Sequence, residues 1–94
     1  MKRIYAYDPS IGVVAHRVLE RCAEHIVRES GFTGERLRLS DLDTPSSRYF
    51  TTAQQAVEAF IRKAEVALAD SSRVAHHAGW RKALANARRE LRKV

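Results

Sequence analysis

The alternation of apolar and polar positions predicts two short β-strands, one at the start of the chain and one near its middle. In residues 2–7, Ile4 and Ala6 share one face while two tyrosines share the other, and these residue types favour strands. Residues 36–40, Arg-Leu-Arg-Leu-Ser, alternate in the same way and place both leucines on one face. We therefore expect a strand at each of these positions.

The segment between the two strands has helical spacing instead. Asp8 suits the N-cap of a helix and Pro9 its first helical position. Gly31 suits the helix end, because glycine reaches the left-handed conformation without steric cost. The apolar positions recur three and four residues apart: Ile11, Val14, Ala15, Val18, Leu19, Cys22 and Ile26. The pattern predicts one long helix between Asp8 and Gly31.

Strand, helix and strand in this order are typical of a parallel βαβ unit with a right-handed crossover. In this order of elements, the first 43 residues resemble the opening of a flavodoxin-like domain. The resemblance implies a phosphate site in the turn of residues 7–12, and a nucleotide or phosphate binder is our third functional hypothesis. The turn has one glycine where a dinucleotide motif has three, so the resemblance concerns topology alone.

Helical spacing returns in the second half of the chain, after a loop in residues 44–51. A helix begins at Thr51 or Thr52, because Gln54 and Gln55 follow three residues later, as in a capping box. Its apolar stripe comprises Ala53, Ala56, Val57, Phe60, Ile61, Ala64, Ala67 and Leu68.

A polar break follows this stripe and separates it from a third helix. Asp70 ends the stripe, and Ser71 and Ser72 offer N-caps, so we expect a helical hairpin over residues 52–94. A continuous helical rod is the alternative. The third helix has an apolar seam with heptad-like spacing: His77, Trp80, Leu84, Ala87, Leu91 and Val94.

Together these elements predict a single small α/β domain over residues 1–94, helix-rich and α+β-like, with the order β-α-β-α-α. It comprises a βαβ unit in residues 1–43, the loop of residues 44–51 and the helical hairpin of residues 52–94. A minimal two-stranded parallel sheet is too small to be stable alone, so either helices cover it or a second copy of the chain extends it. A homodimer is therefore among the expected assemblies.

The composition predicts a cytoplasmic protein. The sequence has one cysteine, Cys22, and therefore no internal disulfide. Its start lacks the apolar run of a signal peptide, and no apolar stretch approaches the roughly 20 residues that cross a bilayer.

The whole net charge of the chain lies in its last helix. Residues 73–94 contain seven Lys/Arg and one acidic residue, Glu90, whereas residues 1–72 contain ten of each sign. Six of these cations lie opposite the apolar seam on a helical wheel: Arg81, Lys82, Arg88, Arg89, Arg92 and Lys93. A basic face of this kind attracts phosphates, and no base-reading motif accompanies it. We therefore expect a small regulator that contacts the nucleic-acid backbone through these residues.

Two other interpretations of the basic helix stay open. In one, its Lys and Arg side chains form a solvated face that serves solubility. In the other, the helix binds an acidic protein surface, and the protein is a small inhibitor or adaptor of the kind that a phage or plasmid carries. If Arg48 and Tyr49 are exposed, they belong to that protein interface, because both residue types are enriched in binding hot spots.

The sequence predicts no catalytic, metal or cofactor site. Cys22 and His25 stand three residues apart, but a zinc ion needs two further ligands that converge on it. Aspartates follow both predicted strands, yet no spacing selects an acid–base pair or a triad. We therefore expect a protein that acts by binding and is not an enzyme.

Overall fold

The computed structural model describes residues 1–70 and 77–94. The strands and helices in these ranges are β1 (Arg3–Asp8), β2 (Gly12–Arg21), β3 (His25–Ser30), β4 (Thr33–Arg38), α1 (Ala53–Ala69) and α2 (His77–Leu91). A short 3-10 helix, Leu39–Asp41, follows β4. Within the described ranges, neither α-helix combines the length and the apolar character that crossing a bilayer requires.

The predicted fold class is wrong, because the sheet is antiparallel and has four strands where a two-stranded parallel sheet was expected. The four strands form one antiparallel sheet in the order β1-β2-β3-β4, and two helices follow, so the chain is β-β-β-β-α-α. The βαβ unit expected in residues 1–43 is replaced by this sheet, and the likeness to a flavodoxin-like domain ends with it. The strand predicted at residues 2–7 is confirmed by β1, whereas the one at residues 36–40 overlaps only the end of β4.

The segment predicted as one long helix forms β2 and β3 instead. Val14, His16 and Val18 are half-buried, whereas Ala15 and Arg17 between them are exposed, which is the two-residue period of a strand. Val14 and Val18 are also four residues apart, so the helical and the strand periods both fit these positions. β-branched side chains favour the strand, because they lose rotamer freedom in a helix and pack well on a pleated surface.

Two of the three turns that connect the strands contain residues that the sequence assigned to helix ends. Asp8 pairs with Gly12 across the β1–β2 loop, and its Oδ1 accepts hydrogen bonds from the backbone N–H (2.8 Å) and the hydroxyl (2.6 Å) of Ser10. The Asp-Pro pair that predicted a helix N-cap thus closes a hairpin, because aspartate caps turns with the same hydrogen bond. Gly31 opens the β3–β4 loop with φ of 59°, as type II′ turns require.

One face of the sheet is buried beneath the segment that joins β4 to α1. Ile4 and Ile26 are fully buried on this face, and Leu42 and Tyr49 of the joining segment pack over them. Burial of one such aliphatic side chain contributes roughly 1.5–3 kcal/mol to stability. The backbone of Phe50 then pairs with β1 through two hydrogen bonds of 2.8 Å, which fix the end of the segment to the sheet.

The opposite face of β1 and β2 is covered by α1. The rings of Tyr7 and Phe60 lie 4.8 Å apart between centroids, and Val57 is fully buried. The predicted start of this helix is confirmed, because the Thr52 hydroxyl accepts a hydrogen bond of 3.2 Å from the backbone N–H of Gln55.

The second helix, α2, packs along α1 and touches β2. Leu84 and Ala87 of the predicted seam are buried, and Trp80 stacks on Phe60 at 6.2 Å between ring centroids. Since the apolar seam faces the interior, the opposite side of α2 is directed to solvent.

The predicted polar break coincides with the end of α1. The helix ends at Ala69, and Asp70 is its C-cap residue. The expected N-caps Ser71 and Ser72 fall in residues 71–76, outside the part of the chain that the structure describes.

The two helices cover only half of the sheet. The main contacts of α1 and α2 with strands involve β1 and β2, so the same face of β3 and β4 stays open, with Arg36 and Arg38 exposed on it. Because one chain supplies four strands, a second copy is no longer needed to complete the sheet. A homodimer nevertheless stays a prediction.

Candidate functional site

The outward side of α2 carries a row of cations. We define the α2 outer face as six exposed residues: Arg81, Lys82, Arg88 and Arg89 on α2, and Arg92 and Lys93 just after its end at Leu91. Their exposure follows from the packing of the apolar seam on α1, because side chains on the opposite side of a helix then point into solvent. From Arg81 to its end at Leu91 the helix rises roughly 15 Å, and with the two cations that follow it the face is long enough for three or four phosphates of one groove edge.

The α2 outer face is electrostatically unmatched in the described part of the chain. Within residues 1–70 and 77–94, ion pairs join Arg17 to Glu29 and Arg28 to Glu35, and neither pair involves α2. Arg89 donates a hydrogen bond to the side-chain oxygen of Asn86, which is neutral. The cations therefore keep their charge available for a partner.

The acidic residue of α2, Glu90, borders the α2 outer face and also acts on the sheet side of the helix. Glu90 is half-buried, and its negative charge reaches the sheet side of the helix. Burial, and then the charges of Glu90 and Asp8, raise the pKa of Tyr7 on β1. This carboxylate therefore adds negative charge near Tyr7, and Glu90 also lines a surface groove with Arg89, Arg92 and Lys93 of the α2 outer face.

A different cation, Arg28, is used inside the fold. Its side chain is 12% exposed, and it forms an ion pair with Glu35 across the β3–β4 pair. Its guanidinium also lies 3.3 Å from Nδ1 of His16 and 4.9 Å from the ring centroid of Tyr49. Because arginine only donates hydrogen bonds, Nδ1 of His16 is the acceptor, and the ring is neutral. Burial, and then the charge of Arg28, lower the pKa of His16.

Arg48 and Tyr49 do not form the exposed pair that a protein interface would need. Arg48 is exposed, but Tyr49 is only 7% exposed and belongs to the core, where its ring meets the edge of His16 at 5.4 Å between centroids. The condition attached to this pair, that Tyr49 stays on the surface, is not met.

A second cluster of cations was missed in the sequence. Arg36 and Arg38 alternate along β4, and His25 of β3 is the cross-strand partner of Arg38. Nη2 of Arg36 lies 2.9 Å from Nε2 of His25. The alternation places both arginines on one face from sequence alone, but His25 joins them only through the antiparallel pairing that the predicted helix excluded.

The residues considered for metal or acid–base chemistry have other positions. Cys22 lies in the turn between β2 and β3, where its Sγ is 3.9 Å from a carboxylate oxygen of Glu20. Both carboxylate oxygens of Asp43 accept hydrogen bonds of 2.7 Å from Thr51, which fixes the start of α1. Among the described residues, no group of three or more His, Cys, Asp or Glu side chains is arranged to hold a metal ion.

Comparisons with protein-family models, with curated proteins and with solved structures give no match to this chain. We therefore infer function from the geometry and charge of the chain itself.

Proposed function

We propose that this protein is a cytoplasmic, non-enzymatic regulator that binds the phosphates of a nucleic acid through the α2 outer face. One observation carries the proposal: six exposed cations lie along the outer side of α2 and the two residues after it, and none has a carboxylate partner among the described residues. Lys and Arg side chains that neutralise phosphates release condensed counterions, and this release drives binding.

The shape of the α2 outer face suits a regularly charged polymer. Its cations are spread over roughly 15 Å of helix and the two residues after it, while double-stranded DNA carries one negative charge per about 1.7 Å of its axis. A helix of this length fits against a groove edge and contacts successive phosphates. Such contacts fix position and supply affinity without reading bases, so we expect little sequence selectivity.

An acidic protein is the alternative partner for the same face. Protein interfaces concentrate their binding energy in buried aromatic and arginine anchors. Tyr49, the aromatic residue that was expected to serve there, is buried in the core at 7% exposure. The face has arginines but no exposed Tyr49 beside them, and its row of cations suits a row of phosphates, so we favour the phosphate backbone as the partner.

The proposal is tested with two double variants of equal charge change. Arg88→Glu with Arg92→Glu reverses two cations of the α2 outer face, and Arg62→Glu with Lys63→Glu reverses two exposed cations of α1. Fluorescence anisotropy with a labelled random duplex, and with a single strand, measures affinity at low salt. We expect the α2 variant to lose at least about tenfold in affinity and the α1 variant to lose much less.

Circular dichroism of both variants provides the control for folding. Helical signal equal to that of the unmodified chain is expected, because all four changed side chains are exposed. Equal losses of affinity in the two variants would mean that net charge alone governs binding and would refute the role of α2. No binding by the unmodified chain at low salt would refute the nucleic-acid proposal and leave an acidic protein or simple solvation of the helix.

A further inference from the structure

The open half of the sheet carries a concave site that the proposed function does not use. A cleft of about 800 Å³ lies at the end of the sheet where β3 begins and β4 ends. We define the β3–β4 cleft by six of the residues that line it: Glu24, His25, Arg36, Arg38, Leu39 and Ser40. It shares no residue with the α2 outer face, and the helices pack on the other two strands.

The cations of the β3–β4 cleft lie on one face of the sheet. Arg36 and Arg38 are two residues apart in a strand, so their side chains leave the same face about 7 Å apart. The antiparallel register sets His25 directly opposite Arg38, and Val27 opposite Arg36. Two guanidinium groups and one imidazole therefore border the same concavity.

These groups have donor capacity to spare. Within the described ranges, the polar partner of the Arg36 side chain is Nε2 of His25 at 2.9 Å, and the Arg38 side chain has neither a hydrogen bond nor an ion pair. An arginine has five N–H donors and no acceptor, so most of the donors of this pair are unused. Nε2 of His25 must accept the bond from Arg36, and an anion that takes this guanidinium would release the imidazole to donate instead.

The geometry points to a ligand, and we propose that the β3–β4 cleft binds a terminal phosphate monoester. The paired N–H groups of a guanidinium match the spacing of phosphate oxygens. Two guanidinium groups and an imidazole together need more acceptor oxygens than a carboxylate offers. A monoester has three free oxygens and a charge of about −1.5 to −2 at neutral pH. A backbone phosphodiester has two free oxygens and a single charge, so it satisfies fewer of these donors.

Glu24 sets a limit on the affinity of this site. Glu24 is among the residues that line the cleft, and its negative charge opposes an anion there and partly offsets the charge of the two arginines. We therefore expect weak, millimolar binding in the unmodified protein, and Glu24→Gln should tighten it about threefold or more.

The test is a titration of the ¹⁵N-labelled protein with inorganic phosphate, methyl phosphate and dimethyl phosphate at constant ionic strength, with chloride as the balancing anion. We expect saturable shifts of the amide signals of His25, Arg36 and Arg38 with the first two anions, and at least about fivefold weaker binding of the diester. Arg36→Gln with Arg38→Gln should weaken binding at least about tenfold. Arg62→Gln with Lys63→Gln, which removes the same charge from two exposed positions of α1 outside the cleft, is the matched control and should not change binding.

The amide spectrum of each variant also reports whether the fold is intact, which separates lost binding from lost structure. Equal binding of monoester and diester, shifts as large with chloride alone, or unchanged binding in the Arg36 and Arg38 variant would overturn the proposal. The Arg88 and Arg92 variant should still bind methyl phosphate, so failure at the β3–β4 cleft and failure at the α2 outer face remain distinguishable.

Discussion

Arg28 and the α2 outer face show the same type of charge used in opposite ways. The Arg28 guanidinium is enclosed between the sheet and the segment above it, where Glu35, His16 and the ring of Tyr49 surround it. The cations of α2 face solvent and have no carboxylate partner among the described residues. The first arrangement pairs a charge inside the molecule, although Nε of Arg28 is buried without a hydrogen-bond partner within the described ranges, whereas the second leaves charge for a partner outside it.

This difference separates structural cations from available ones. A side chain that is 12% exposed and multiply bonded cannot be removed without leaving its partners unsatisfied. A fully solvated arginine can be replaced at little cost to the fold. We therefore expect stability and binding to depend on different sets of arginines, and three measurements of stability test this difference.

The largest effect is expected at Arg28. Arg28→Ala removes the partner of Glu35 and the cation over Tyr49, so the free energy of unfolding should fall by about 2 kcal/mol, discounted because Glu35 is partly exposed. Urea denaturation measures this change. Arg17→Ala, which breaks an ion pair between side chains 66% and 47% exposed, is the control and should cost about 0–1 kcal/mol. Equal effects would show that the enclosure of Arg28 has no energetic weight.

A smaller effect is expected from His16, which contacts the same arginine. Its pKa is lowered in the folded protein by burial and by Arg28, so the unfolded chain binds a proton more readily. The contribution of neutral His16 to stability should therefore be complete above the ordinary histidine pKa of 6.5. It should be lost as the pH falls from 6.5 through the lowered pKa of the folded protein. Denaturation above and below this pH should show a larger loss for the unmodified chain than for His16→Gln, whose amide oxygen can still accept from Arg28. The same loss in both proteins would contradict the assignment.

The smallest effect is expected on the α2 outer face. Arg88→Glu with Arg92→Glu should change the free energy of unfolding by no more than about 0.5 kcal/mol, because both side chains are exposed. Thermal or urea denaturation checks this. A loss close to that of Arg28→Ala would mean that these cations are structural and would remove the contrast between the two regions.

The helices were predictable because their signals are local. Thr52 and Gln55 sit at capping distance along the chain, and the hydrogen bond between them forms as expected. The seam that includes Trp80 and Leu84 repeats at helical spacing and packs inward. A periodic stripe with polar residues opposite specifies both the helix and its buried side, so the exposure of the cations on α2 followed from the sequence.

The sheet was not predictable in the same way, because its evidence is ambiguous at short range. Val14 and Val18 satisfy both periods, and Asp8 caps either a helix or a turn with similar hydrogen bonds. The positive φ of Gly31 suits a helix end and a two-residue hairpin loop equally. The choice between them depends on pairing with strands elsewhere in the chain.

The same tertiary pairing decides two features of the candidate sites. Tyr49 is buried because the segment after β4 folds back over Ile4 and Ile26. No local sequence pattern predicts this folding back. His25 meets Arg36 because β3 and β4 are antiparallel neighbours. Sequence reasoning therefore located the helical cations and missed the cluster that strand pairing assembles.

The role of the α2 outer face in phosphate binding can be measured as the affinity for a random-sequence duplex over a range of salt concentrations. If the α2 outer face neutralises three or four phosphates, the logarithm of the binding constant should fall with the logarithm of salt at a slope of about −3, or about twice that for a homodimer. Arg88→Glu with Arg92→Glu should reduce the slope by about 2. Absence of binding at low salt, or an affinity that does not respond to salt, would contradict the account.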